Sequence, residues 1–297
     1  MRNEMKTCFV LLIASCITLS AMAASTINTT NKWAWSSGAG WINCRTDSTN
    51  GAVMGEYVCS GYWYSPTAGW IHLGNGSPSN GVYYATNAAA DYGVNHDGKG
   101  HLSGYAWCAS FGWINFGWTN NPDAANAPKV DLKTGVCSGY AWGGSLGWIS
   151  LSNMSAYLET DLLPGGADAN SNGIPDAWEI SETGSTNLNI LSATNDYDGD
   201  TATDYAEYVA GTSPTNPGDF LSMAGFSWLG GTNLQLVWSS KETRLYRVEK
   251  KNDLFDTNWA DSGFGIISSD SESNTVRQLP LATQGFYRIK AVLPLSP

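Results

Sequence analysis

The chain has 297 residues, enough for two or three small domains, and carries 26 acidic against 15 basic side chains for a net charge of −11. The bases form no stripe, which argues against a nucleic-acid partner. The acidity is concentrated: residues 25–160 hold seven acids and five bases, residues 161–219 eleven acids and no Lys or Arg, and residues 220–297 seven acids and eight bases.

Residues 1–23 read as an export signal. Arg2 and Lys6 give a positive start, Phe9 to Leu19 is mostly apolar, and Ala21-Met22-Ala23 is a small-residue cleavage site before Ala24. The apolar run is too short to span a membrane, and no later segment reaches that length. The expectation is an exported protein, secreted or held at the cell surface, with no transmembrane span. A second reading competes: Ile13-Ala14-Ser15-Cys16 has the form of a lipobox, which would anchor the chain as a lipoprotein through Cys16. The apolar run continuing through Ile17 and Leu19 weighs against it.

The next segment is repetitive. Trp33-Ala34-Trp35…Gly40-Trp41-Ile42, Tyr62-Trp63-Tyr64…Gly69-Trp70-Ile71, Tyr105-Ala106-Trp107…Gly112-Trp113-Ile114 and Tyr140-Ala141-Trp142…Gly147-Trp148-Ile149 share one pattern. In each copy the third residue precedes the Gly-Trp tryptophan by six, while copies lie 29, 43 and 35 residues apart. A fixed core with elastic spacers marks the phrase as the structural unit. Its large–small–large alternation predicts a strand with both aromatics on one face, and the glycine predicts a turn with an unusual backbone angle before the return strand. Tyr92-Gly93-Val94 and Lys129-Val130-Asp131-Leu132 predict further short strands. Residues 25–160 thus read as a repetitive β-hairpin domain, whose closure as barrel, prism or propeller stays open.

The phrase resembles the GYAW…GWI repeat of bacterial exported proteins, over residues 30–152. The first copy departs with Trp33 for Tyr, and the second with Trp63-Tyr64 and Pro66. The resemblance implies a surface role and supplies no activity. Ten of the fourteen tryptophans lie here. Repetition at fixed spacing predicts that the repeated aromatics build a core between neighbouring units, leaving Tyr83, Tyr84 and Trp118 as candidate ligand contacts. The competing reading is an open aromatic platform for sugar rings. Cys44, Cys59, Cys108 and Cys137, an even number in an exported chain, predict two disulfides. Three pairings are possible; Cys44 with Cys59 and Cys108 with Cys137 would staple adjacent units.

The acidic stretch 161–219 contains two calcium-loop patterns. Residues 168–179, DANSNGIPDAWE, fit D-x-[DN]-x-[DN]-G-x5-E. Asp168, Asn170 and Asn172 would offer side-chain oxygens, Ile174 its carbonyl, and Asp176 and Glu179 carboxylates. Residues 196–207, DYDGDTATDYAE, place Asp196, Asp198, Asp200, Ala202, Asp204 and Glu207 likewise, with Thr201 where glycine is expected. Hard oxygen donors at this spacing suit calcium, and a short helix is predicted after each loop. The segment resembles thrombospondin type 3-like and dockerin-like elements over residues 165–218, which implies a calcium-stiffened linker.

Residues 220–297 return to alternation, with Leu234, Leu236 and Trp238, then Tyr246 and Val248, then Tyr287, Ile289 and Ala291. The prediction is a C-terminal antiparallel β-sandwich. The stretch resembles a terminal β-domain of bacterial surface proteins, which implies attachment or sorting.

The fold class expected is therefore mainly β, with a short loop-helix linker. No nucleophile elbow, zinc motif or phosphate loop occurs. The chain is expected not to be an enzyme; a glycoside hydrolase, which needs only two carboxylates, is the class hardest to dismiss. Two readings follow. One is a non-catalytic, calcium-stabilised structural or adhesion protein whose partners are a cell-envelope component or itself. The other is a polysaccharide-binding protein using exposed aromatics. Burial or exposure of the tryptophans separates them.

Overall fold

Each repeat folds as an antiparallel hairpin: Ile27–Ser36 with Gly40–Asn43, Cys59–Ser65 with Gly69–Asn75, Leu102–Cys108 with Gly112–Asn115, and Tyr140–Gly143 with Gly147–Ser150. The repeat glycines Gly40, Gly69, Gly112 and Gly147 have φ of 68°, 77°, 81° and 73°. That left-handed conformation, and not crowding, demands glycine there, because a Cβ on Gly40, Gly69 or Gly112 would meet nothing. In this computed structural model, residues 24–47, 50–85, 89–229, 233–253, 255–280 and 285–296 are described. Residues 1–23, expected to be an export signal, and Cys16 among them lie outside the described residues.

The four hairpins pair side by side, and Ile27–Ser36 pairs with Gly147–Ser150 to close an eight-stranded barrel. The register repeats at every junction. Tyr64 lies opposite Asn43, Trp107 opposite His72, Trp142 opposite Asn115, and Trp35 opposite Ser150. The hairpin tips also interlock. The residue after each third-position aromatic reaches the preceding tip: Ser36 Oγ donates to the Leu146 carbonyl at 3.1 Å, Ser65 Oγ to Ala39 at 2.7 Å, and Cys108 Sγ to Ala68 at 3.3 Å. Gly143 fills the fourth place without a side chain.

The interior reverses the sequence-based expectation. The buried layer is Ala34, Trp63, Ala106 and Ala141 with Ile42, Ile71, Ile114 and Ile149. The flanking repeat aromatics point outward. An eight-stranded barrel has room only for a filling of ordinary side chains. Three alanines make space for the single indole of Trp63, which meets Phe116 edge-on at 5.8 Å; a full layer of tryptophans would not fit.

The expected disulfides are not formed: Cys44, Cys59, Cys108 and Cys137 are free and buried. The repeat register explains them. Cys44 occupies the place of Leu73, Phe116 and Leu151, and Cys59 and Cys137 the place of Leu102, all core positions. Cys108 stands where other copies have Ser or Gly. The thiols act as small core side chains, and Cys137 Sγ rests 3.8 Å from Met54 Sδ.

Two short helices, α1 (Asp176–Thr183) and α2 (Asp204–Ala210), follow the acidic loops. No described helix is long and apolar enough to cross a membrane. The C-terminal part forms two antiparallel sheets. Met223–Trp228, Asn233–Ser239 and Asn274–Pro280 make one. Leu245–Lys251 with Ala260–Asp261, Ile267–Ser268 and Phe286–Val292 make the other. Leu234, Leu236, Trp238, Tyr246, Val248 and Ala291 share one core.

The acidic segment is not an extended spacer. Ile174, Trp178, Leu191 and Tyr208 form a small core that also touches Tyr57 of the barrel part and Leu293 near the C-terminus. Leu295 packs against the barrel core.

Candidate functional site

The two acidic loops share several backbone-to-side-chain hydrogen bonds. Gly173 N–H donates to Asp168 Oδ2 and Thr201 N–H to Asp196 Oδ2, both at 2.9 Å. Ala169 N–H donates to Asp176 Oδ1 and Tyr197 N–H to Asp204 Oδ1, again at 2.9 Å. Ile174 N–H donates to Asn172 Oδ1, and Ala202 N–H to Asp200 Oδ1. Thr201, with φ of 84°, adopts the conformation Gly173 takes at 85°. The departure from glycine therefore leaves the turn unchanged.

Each loop aims buried carboxylate oxygens at nothing. Both carboxyl oxygens of Glu207, Oδ2 of Asp198 and of Asp200, and Oε2 of Glu179 are buried without a hydrogen-bond partner among the described residues. Oxygens of Asp196, Asp198 and Asp200 converge within 4.8 Å of one another. Burial, reinforced by the charges of Asp198, Asp200, Asp204 and Asp196, pushes Glu207 up to about 8. Burial likewise raises Glu179, against the hydrogen bonds from Asn172 and Asn170. Asp198 is raised by desolvation and then by Asp200. Buried charge without a partner is costly, and oxygen donors so converged are what a hard cation satisfies. The donors of the second loop could hold a hard cation, and the first loop repeats their spacing. The second loop offers more charge, with five carboxylates where the first has three.

On the barrel, the repeat aromatics form an exterior rim at the tip end. Trp35 and Trp41, Tyr64 and Trp70, Trp107 and Trp113, and Trp142 and Trp148 sit directly opposite each other across their hairpins. All eight are 36–48 % exposed. A third ring joins each Gly-Trp indole edge-on: Trp33 at 6.4 Å, Tyr62 at 5.8 Å, Tyr105 at 6.1 Å and Tyr140 at 6.2 Å. Residues 33–43, 62–72, 105–115 and 140–150 contain no Asp, Glu, Lys or Arg. In an acidic protein these segments carry no carboxylate or basic side chain; Lys32, just outside them, places its ammonium 5.9 Å from the Trp33 ring centroid. That absence, with the small residue between the aromatics, is the sequence signal that could have placed the rings outside.

The three off-pattern candidates separate. Tyr84 is buried, its hydroxyl accepting from Gly76 N–H at 2.6 Å, so it is no ligand contact. Tyr83 is half-buried beside Tyr57. Trp118 lies on the rim, edge-on to Trp148 at 4.9 Å. Tyr92, not singled out from the sequence, does the same at Trp113 and bonds His72 Nδ1 at 2.7 Å.

Comparison of the chain with protein-family models, with curated protein sequences and with solved structures finds no match.

Proposed function

We propose that the protein is a non-catalytic, calcium-stabilised exported binding protein whose aromatic rim engages polysaccharide at a cell envelope. The carrying observation is the exposure of eight paired aromatic rings on hairpin segments that contain no Asp, Glu, Lys or Arg. Exposed ring faces stack on the apolar faces of sugar rings, and contiguous exposed aromatic surface marks interaction sites. This favours the glycan reading over a purely structural repeat, which would bury its tryptophans. Fourfold repetition offers a polymer several equivalent contacts, so weak single contacts add through effective concentration.

In the same reading, calcium is held by the side chains of Asp168, Asn170, Asn172, Asp176 and Glu179, and by those of Asp196, Asp198, Asp200, Asp204 and Glu207. Ile174 and Ala202 stand at the backbone-donor position. Calcium, when bound, supplies the positive charge that the orphaned carboxylates lack. The two C-terminal sheets are read as the layers of a sandwich that serves attachment.

The test is sedimentation of the calcium-loaded protein with insoluble neutral polysaccharides. Replacing one rim tryptophan by Ala, as in Trp70→Ala, should weaken retention roughly 2- to 10-fold, the worth of one aromatic contact. Retention unchanged after loss of Trp41, Trp70, Trp113 and Trp148 together would remove the rim from the function.

A further inference from the structure

We infer that the rim contains one preferred sugar subsite, the cleft between the third and fourth hairpins, which takes a single neutral pyranose unit of the glycan. The inference rests on the polysaccharide reading of the rim. The cleft is lined by Trp118, Asn126, Tyr140 and Trp148, with a volume of about 530 Å³, within the ~300–1,000 Å³ typical of small-molecule sites.

Its walls are fixed. Trp118 and Trp148 meet at 76° and Tyr140 and Trp148 at 74°, so the rings form walls and not one flat stack. The indole N–H of Trp118 donates to the Tyr140 carbonyl at 2.6 Å, which sets the position of the ring and consumes its polar handle. Tyr140 N–H donates to the Asn126 carbonyl at 3.0 Å, tying the fourth lining residue to the same strand. The Asn126 side-chain amide is exposed and makes no bond among the described residues. An amide offers both a donor and an acceptor, which is what a sugar hydroxyl needs. None of the four lining residues is charged, so an acidic or basic sugar would lose hydration without gaining a partner.

The neighbouring junction shows the contrast. Between the second and third hairpins Tyr92 occupies the corresponding place against Trp113. There its hydroxyl is spent on His72 Nδ1, and His72 stacks on Tyr62 at 4.7 Å. That junction is filled by the protein's own hydrogen-bonded rings. The Trp118 junction leaves its ring walls and a free amide facing solvent.

The experiment titrates the full calcium-loaded chain with neutral hexasaccharides of glucose, N-acetylglucosamine, xylose, mannose and galactose, reading tryptophan fluorescence and heat. Phosphatidylcholine vesicles are the comparison probe. At least one hexasaccharide should bind. Trp118→Ala and Asn126→Ala should each raise its Kd about tenfold, equivalent to ~1.4 kcal/mol. Tyr64→Ala, in the second hairpin across the barrel from the cleft, should change it less than about twofold, since it shares no contact with the cleft. Asn126→Ala removes an exposed side chain, so its thermal midpoint should match the parent and separate lost contact from lost fold. Equal losses for Tyr64, Trp118 and Asn126 would overturn the preferred subsite and leave the rim reading standing. Binding to vesicles and to no sugar, or to neither, would overturn both.

Discussion

At the residue scale, the informative side chains are those whose chemistry is left unfinished. Glu207 has both carboxyl oxygens buried and without a hydrogen-bond partner among the described residues, and its pKa is pushed from the ordinary 4.5 to about 8. A folded-state pKa above the unfolded value means the metal-free fold binds the proton more tightly than the unfolded chain. In chelator, stability should therefore rise as pH falls from about 8 to about 4.5, with no further gain below. His72 and His96, both lowered chiefly by burial, act in the opposite direction below 6.5. The difference between parent and Glu207→Gln isolates the carboxyl. In chelator the variant should melt about 5 °C higher near pH 8 and converge with the parent near pH 5. A pH-independent gap would show that Glu207 is not under this strain. The thiols make a second residue-scale prediction. Burial pushes Cys59 up to about 12 and raises Cys44 and Cys137 as well. A chain starting at Ala24 should resist alkylation when folded and take up four labels in guanidinium without reductant. Two labels or none would mean disulfides. The even cysteine count was legible as a disulfide signal. It misled because each thiol occupies a repeat position that other copies fill with Leu, Phe, Ser or Gly.

At the element scale, the hairpin was legible and its orientation was not. The constant six-residue offset and the glycine specify a strand, a tight turn and a return strand, and all four hairpins are present. Alternation says only that two rings share a face. Which face points inward depends on how many strands close, and no single hairpin encodes that. The deciding residues are the alanines between the rings, together with Trp63 as the one large residue in their place. Two substitutions of the same kind should therefore differ sharply. Trp63→Ala empties the barrel centre and should cost roughly 3–5 kcal/mol. Trp107→Ala removes an exposed ring and should cost under about 1 kcal/mol, the worth of its ring contacts. Urea unfolding of both variants in calcium compares them, and equal costs would contradict the outward rim. The turn of each acidic loop and the short helix after it were legible, because the pattern that specifies them is local in sequence. Even with Thr201 the turn is kept, since this β-branched residue is held in the left-handed conformation of its glycine counterpart at a cost in backbone strain.

At the scale of the whole molecule, one buried contact ties the acidic segment to both neighbours, and nothing local announces it. Glu56, Tyr208 and Arg244 are far apart in sequence and ordinary in their own surroundings. Arg244 Nη1 meets Glu56 Oε1 at 2.9 Å, and the Tyr208 hydroxyl donates to Glu56 Oε2 at 3.2 Å. Arg244 Nη2 and Nε donate to the Tyr208 carbonyl at 2.8 and 3.2 Å. Tyr208 directly follows Glu207, so the last carboxylate of the second loop and the buried lock share one turn of α2. Lys99 adds an exposed pair with Glu242 and Glu272 between the barrel part and the C-terminal sheets. Such exposed pairs contribute little, which leaves the buried lock as the main polar tie. If calcium orders α2, it also positions Tyr208 for Glu56 and Arg244. Linkage then requires the reverse: breaking the lock must weaken calcium binding. Arg244→Met strands a buried Glu56 carboxylate and should cost roughly 3–5 kcal/mol of stability. Calorimetric titration of the same variant, at a temperature where it stays folded, should show calcium affinity reduced about tenfold, ~1.4 kcal/mol of coupling. A lowered midpoint with unchanged calcium affinity would make the lock a structural pair only. A parallel fall in both would make calcium the ion that holds the barrel and the C-terminal sheets to one another.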